Sequence, residues 1–298
     1  MKTKNLDQVK ILFILTFLLG FIASCQDSGK SKSTSYTIAY GSSGNVEIYS
    51  SDTEGKSNIK STNAKGSYLA WSPDGKQFAF RGKYDEKRTW SIHTMNIDGT
   101  NRKRLTHAKN NWDASPAWSP DGKKIAFSKE YKDSEGTWQA EIWIMNPDGS
   151  ELSQIESLKG GGPYFTPDGR IVFHSEYKNK ESGICIADVD GSNIIQLTHH
   201  EAEEQHPEVS PDGKQVAFMS DRDGNHEIYV MNIDGSNQER LTNNNVDDWN
   251  PSWSPDGSKI IFSSYKDYKK DKHIYIMNKD GSSIKKIIPN SGYAVFQR

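Results

Sequence analysis

The sequence predicts an all-β fold, a six-bladed β-propeller closed by N- and C-terminal strands that share one blade. Three observations carry this expectation: a tight-turn motif recurs five times every 44 to 47 residues, a second turn alternates with it, and partial repeats at the two ends complement each other. Composition agrees. Only 34% of the 298 residues are hydrophobic, yet there are 8 Trp, 13 Tyr and 11 Phe, with 24 Gly and 11 Pro. Disordered chains lack such aromatics and carry a large net charge, whereas here 37 basic and 39 acidic residues nearly cancel. That balance excludes a strongly basic nucleic-acid binder. A single apolar run of near-spanning length excludes a polytopic membrane protein. Length alone suggests about two domains at roughly 150 residues each; the repeat replaces them by one ring.

Taken from the N-terminus, residues 1–24 read as a lipoprotein signal peptide. Lys2, Lys4 and Lys10 form a positive region ahead of an apolar stretch from Ile11 to Ile22, which is short for a membrane span. Ile22-Ala23-Ser24-Cys25 then resembles the bacterial lipobox, with small residues for a narrow protease subsite and a thiol to take the lipid. Cys25 is therefore the expected lipid-attachment site. Residues 25–35 are polar, rich in Ser and Lys, and expected to be a flexible tether reaching roughly 17–19 Å. With Cys25 acylated, Cys185 has no disulfide partner in the chain. It occupies a position held by Tyr or Trp in sister repeats and is expected in the core.

Residues 36–298 hold the repeats. Ser72-Pro73-Asp74-Gly75 recurs at Ser119, Thr166, Ser210 and Ser254. Pro presets φ, Asp bonds the local backbone and Gly supplies positive φ, so each copy is a turn between apolar strands. The second turn, Met95-Asn96-Ile97-Asp98-Gly99, recurs at Met145, Met231 and Met277, with Ala187 to Gly191 as a variant. Each repeat thus holds four short strands and two turns, the make-up of a propeller blade. Val46 to Gly55 matches the second half of a repeat, and Ser291 to Phe296 matches its first strand, with Phe296 at the Trp71 position. The C-terminus should therefore supply the inner strand of the blade begun at the N-terminus, leaving no free edge.

Trp118 to Phe127 (W-S-P-D-G-K-x-I-A-F) and Ser220 to Gly235 (S-D-R-D-G-N-x-E-I-Y-V-M-N-x-D-G) resemble the β-propeller repeats of the TolB family. The resemblance covers essentially all of 36–298 and implies a propeller that docks an envelope protein. Similar blades occur in prolyl oligopeptidase-like peptidases and oligogalacturonate lyases. The G-x-S-x-G elbow that a serine hydrolase of the first kind needs does not occur in this sequence.

Strand parity puts both tight turns on one side and the longer, variable loops on the other, where binding residues tend to sit. Three features mark that side. Asp113, Glu204 and Asp248 lie three residues before the blade-entry prolines, with Trp112 and Trp249 beside them. Near a tunnel mouth such carboxylates could bind a cation or a Lys- or Arg-bearing peptide; alternatively, each bonds free N–H groups of its own loop. Tyr84, Tyr131 and Tyr177 follow strand-end Phe residues, as a binding arc or as packing against neighbouring hairpins. Lysines such as Lys83, Lys129, Lys132 and Lys266 would form a basic rim or simply solvate the hairpin tips. Thr198-His199-His200 and Gln205-His206 share one inter-blade loop, but the eight histidines follow no tight metal-ligand spacing. The expectation is a non-enzymatic, lipid-anchored, monomeric envelope propeller that binds a protein or peptide. It needs no cofactor and no nucleic acid, with a cation at the mouth left open. The alternative is a metal-dependent lyase or glycan-processing propeller.

Overall fold

Among the described residues, the short apolar runs between the repeated turns fold as strands paired antiparallel, apart from one parallel pairing of Trp90 with Trp112. The computed structural model describes residues 36–42, 45–51, 57–83, 90–107, 111–175, 182–267 and 271–297. The signal segment, Cys25, Tyr84 and Tyr177 lie outside the described residues. Within Ser35–Arg298, which forms one compact unit, no described residue is helical.

Pairing sorts the strands into groups of four. The first holds β1 (Tyr36–Ser42), β2 (Asn45–Ser51), the first half of β3 (Ser57–Trp71), and the C-terminal strand β22 (Ser291–Phe296). β22 lies antiparallel to β1, with Phe296 opposite Ile38 and Ala294 opposite Tyr40. The second half of β3 opens the next group with β4 (Gln77–Lys83), β5 (Trp90–Asn96) and β6 (Lys103–Arg104). β7 (Trp112–Trp118), β8 (Ile125–Lys132), β9 (Trp138–Met145) and the start of β10 (Ser153–Phe165) form the third. The rest of β10 pairs with β11 (Ile171–Ser175), followed by β12 (Ile184–Ala187) and β13 (Ile195–Gln196). The last two groups are separate four-stranded sheets: β14 (Glu204–Val209), β15 (Gln215–Ser220), β16 (Glu227–Asn232) and β17 (Glu239–Arg240), then β18 (Asp247–Trp253), β19 (Lys259–Asp267), β20 (Asp271–Asn278) and β21 (Lys285–Pro289).

These strands are buried on both faces, because consecutive side chains enter different cores. In β15, Val216 and Phe218 pack with Ile184 and Leu197 of the preceding group, while Ala217 and Met219 pack with Trp253 and Ile260 of the following one. Apolar clusters of this kind lie between each consecutive pair of groups. A further cluster joins the last group to the first, with Ile261, Ile274 and Ile288 against Tyr36, Ile38 and Phe296. Polar contacts reinforce that seam: the Tyr36 hydroxyl donates to Asp256 Oδ2 (3.1 Å) and the Phe296 N–H to Ser252 Oγ (3.3 Å). Cys185 sits opposite Phe173, buried in the apolar cluster between the third and fourth groups. Burial pushes its thiol up to about 11, which suits an unreactive core residue.

The turns do what their residues require. In Ser210 to Gly213 the serine hydroxyl donates to Asp212 Oδ1 (2.7 Å) and accepts the Gln215 N–H (3.0 Å), and Gly213 takes φ +73°. Outer strands β6, β13 and β17 are only two residues long because a threonine takes over their task. Thr106, Thr198 and Thr242 hydroxyls accept the N–H groups of Ile92, Ile184 and Ile228 at 2.8–2.9 Å.

Candidate functional site

One strand of each group (β22, β3, β7, β10, β14 and β18) carries a register shift at its loop-side end. The six shifts fall at Tyr68, Ser115, Gly162, His206, Asn250 and Tyr293, and all six residues have positive φ, between 33° and 58°. A β-bulge inserts one unpaired residue and re-aims it. At four positions the next residue is proline, which costs no ladder hydrogen bond where pairing is already interrupted. Gly162 needs both the positive φ (+58°) and the missing side chain, since a Cβ there would stand 2.9 Å from His174 Nδ1.

The bulge residues and the prolines of the turns line a cavity of about 360 Å³. Its walls come from β3, β7, β10, β14, β18 and β22, one strand from each group. The loop-side end is aromatic: the Tyr68 ring lies 4.9 Å from Tyr293 and 6.0 Å from His206, and Arg81 covers Tyr68 at 4.3 Å. Burial brings the His206 imidazole down to about 4, so it is neutral at physiological pH. Two polar atoms on the wall, Trp118 Nε1 and Asn250 Oδ1, are buried with no hydrogen-bond partner among the described residues.

Glu208 is the one carboxylate of the lining. It stands where sister strands carry Ala70, Ala117, Tyr164, Ser252 and Val295. Its Oε1 accepts the Trp253 N–H (2.8 Å) and the Ser252 hydroxyl (3.0 Å), while its carbonyl accepts Trp253 Nε1–H (3.1 Å). Burial outweighs these bonds and pushes the carboxyl up to about 8, so it is largely protonated at neutral pH.

The carboxylates singled out in the sequence lie elsewhere. Asp113, Glu204 and Asp248 are 2%, 0% and 0% exposed and do not line the cavity. Asp113 accepts from Asn111 (2.9 Å), Glu204 from Ser220 (3.2 Å) and Arg222, and Asp248 from Asn244 (2.7 Å). Burial raises Asp113 and Asp248, the latter to about 6, against the hydrogen bonds that lower it. Tyr131 donates to Glu141 (2.8 Å) within its own hairpin, and Lys129 lies 3.8 Å over the Trp143 ring beside it. Trp112 is half-buried against Trp138 (4.9 Å), itself 47% exposed on the loop side. Trp249 is half-buried over His226 (4.6 Å). Trp138 and Glu208 are not among the residues that the sequence pattern singles out, and of the bulge residues only His206 is; the signal for Glu208 is a single acid in a column of otherwise uncharged residues.

The histidines of the 198–206 loop do not converge. His200 Nε2 pairs with Arg222 (2.9 Å), while His206 faces the cavity. Among the described residues, the grouping whose atoms approach closely enough to hold a metal ion is Glu203, Asp221 and His226.

The comparisons agree with this architecture. The profile described as TolB beta propeller domain matches residues 21–205 and 161–296. A comparison with curated proteins finds no match. Among solved structures, a chain from Agrobacterium tumefaciens described as TolB superposes with a TM-score of 0.67 at 23% identity, covering 87% of this chain and 92% of that one. TolB from Acinetobacter baumannii superposes at 0.73 and 22%, covering 88% of this chain and 66% of that one. An oligogalacturonate lyase in complex with manganese superposes at 0.50 and 16%, covering 86% and 73%. At these identities the likeness is one of fold.

Proposed function

Because the chain belongs to the TolB β-propeller family, we propose that it is a non-enzymatic binding module of the bacterial envelope. It is a six-bladed ring anchored by a lipid on Cys25 and engages a protein or peptide with its loop side. The cavity carries this reading: six strands contribute one wall each, and its loop-side end is aromatic. Aromatic side chains over an apolar recess with few polar groups are the usual make-up of a recognition site. Exposed Trp138, backed by Trp112, extends apolar surface along the same side. The pairing of β22 with β1 and the cluster joining the last group to the first support closure of the ring. Trp112, Tyr131 and Trp249, with Tyr84 and Tyr177 on the sequence pattern alone, are the candidate contacts of this side. Asp113, Glu204 and Asp248 act on a partner through the loops that they brace. A short tether from residue 25 to 35 would keep the propeller within about 20 Å of its membrane.

Metabolic labelling with a tagged fatty acid in cells expressing wild type and Cys25→Ala tests the anchor. The wild-type chain should take up the label and Cys25→Ala should take up none, because the thiol of Cys25 is the acyl acceptor. A wild-type chain without label, or equal labelling of the two, would contradict the assignment.

A further inference from the structure

We propose that Glu203, Asp221 and His226 form a binding site for one divalent transition-metal ion of the zinc class, on the loop side between the fifth and sixth groups. Candidate donor atoms of the three residues all lie within 4.8 Å of one another. His226 Nε2 stands 3.6 Å from Glu203 Oε2. Zinc bonds of about 2.0–2.2 Å in tetrahedral geometry place neighbouring ligand atoms roughly 3.3–3.5 Å apart, so this pair needs almost no adjustment.

Backbone bonds hold the three residues in place. Asp221 and His226 are the two ends of the turn between β15 and β16, closed by the Gly224 N–H on the Asp221 carbonyl (2.9 Å). Glu203 is tied to that turn twice: its N–H donates to Asp221 Oδ1 (2.8 Å), and its carbonyl accepts the Asp221 N–H (3.3 Å). The His226 carbonyl accepts the Asp248 N–H (2.8 Å), which fixes the far side.

The imidazole is oriented as a ligand would be. Its Nδ1 faces Asp247 Oδ1 at 3.3 Å, and the Trp249 ring packs on it at 4.6 Å. A carboxylate on the second ring nitrogen selects the tautomer whose Nε2 lone pair is free for a metal. The arginine of the turn does not neutralise the cluster. Arg222 reaches instead to Glu204, Gln238 Oε1 (2.7 Å) and His200 Nε2 (2.9 Å). One imidazole among three carboxylates therefore leaves negative charge that a divalent ion offsets. An imidazole with two carboxylates suits zinc and its first-row neighbours, whereas calcium and magnesium take oxygen ligands. Three protein ligands leave a coordination position open to water or to a side chain of a bound partner.

Calorimetric titration of the full-length, chelator-stripped chain with zinc, manganese, calcium and magnesium tests this site. One equivalent of zinc should bind at least tenfold more tightly than calcium or magnesium, and should raise the melting temperature. His226→Gln and Glu203→Gln should each weaken zinc at least tenfold, and Asp247→Ala about 10- to 100-fold through loss of the oxygen that orients the ring. If those variants fail to fold, Asp221→Asn makes the same test, since an amide oxygen still accepts the Glu203 N–H. The proposal is overturned if the wild-type chain binds no stoichiometric zinc, or if calcium binds as tightly. It is equally overturned if folded variants bind zinc unchanged, or if binding is lost instead in His199→Gln/His200→Gln.

Discussion

Glu208 has exchanged solvent for a wall of the cavity, and the exchange has a measurable sign. Its pKa of about 8 in the folded chain exceeds the ordinary value of 4.5 because burial penalises the charge. A carboxyl raised on folding favours the native state while it keeps its proton. The contribution of this group to stability is therefore fully present below about pH 4.5 and is lost as pH rises towards 8. A difference of this size corresponds to a few kcal/mol, at about 1.4 kcal/mol per pH unit. Glu208→Gln retains an oxygen for Trp253 and Ser252 but cannot ionise. Thermal melts should show the variant gaining stability over wild type between pH 5 and 8, with the two chains close at pH 4. Parallel curves over that range would contradict the buried, protonated carboxyl. Why Glu208 escaped the sequence reading is physical: acids three residues before the prolines looked accessible, yet the strand pleat turns Asp113, Glu204 and Asp248 into the protein and the bulge turns its own residue into the cavity.

At the scale of the element, the strands and turns were legible because their chemistry repeats. Ser-Pro-Asp-Gly can close its turn in one way only, and five copies fold alike. The bulges were not legible, since Tyr, Ser, Gly, His and Asn share no property beyond filling the same slot. The threonine that ends three of the groups lies between these extremes: Leu-Thr recurs in the sequence at 105–106, 197–198 and 241–242, but its hydroxyl bond to the neighbouring strand emerges only from pairing. Thr242 is fully buried, and its hydroxyl accepts the Ile228 N–H at 2.9 Å. Thr242→Val keeps the shape and orphans that donor, at a cost of about 1–3 kcal/mol. Denaturant unfolding should show the loss as a lower midpoint with unchanged slope; an unchanged midpoint would mean that the bond adds nothing.

For the whole molecule, the partial repeats at the two ends complement each other, and β22 pairs with β1, which in turn pairs with β2. Deleting residues 291–298 would bare the edge of β1 and uncover Ile261, Ile274 and Ile288. Scanning calorimetry should then record a lower and broader transition, and light scattering should record association through the open edge. A sharp melt at the wild-type temperature would argue against a closed ring. How the propeller is used is a question of sides. Photo-reactive residues placed in living cells at Trp138 and Asn245 sample the loop side, and at Asp148 and Asp280 the turn side. All four positions are exposed. Covalent adducts with an envelope protein are expected from Trp138 and Asn245 and not from Asp148 and Asp280. Adducts confined to the turn side, or no protein adduct from any of the four, would contradict a binding module that works through its loop face.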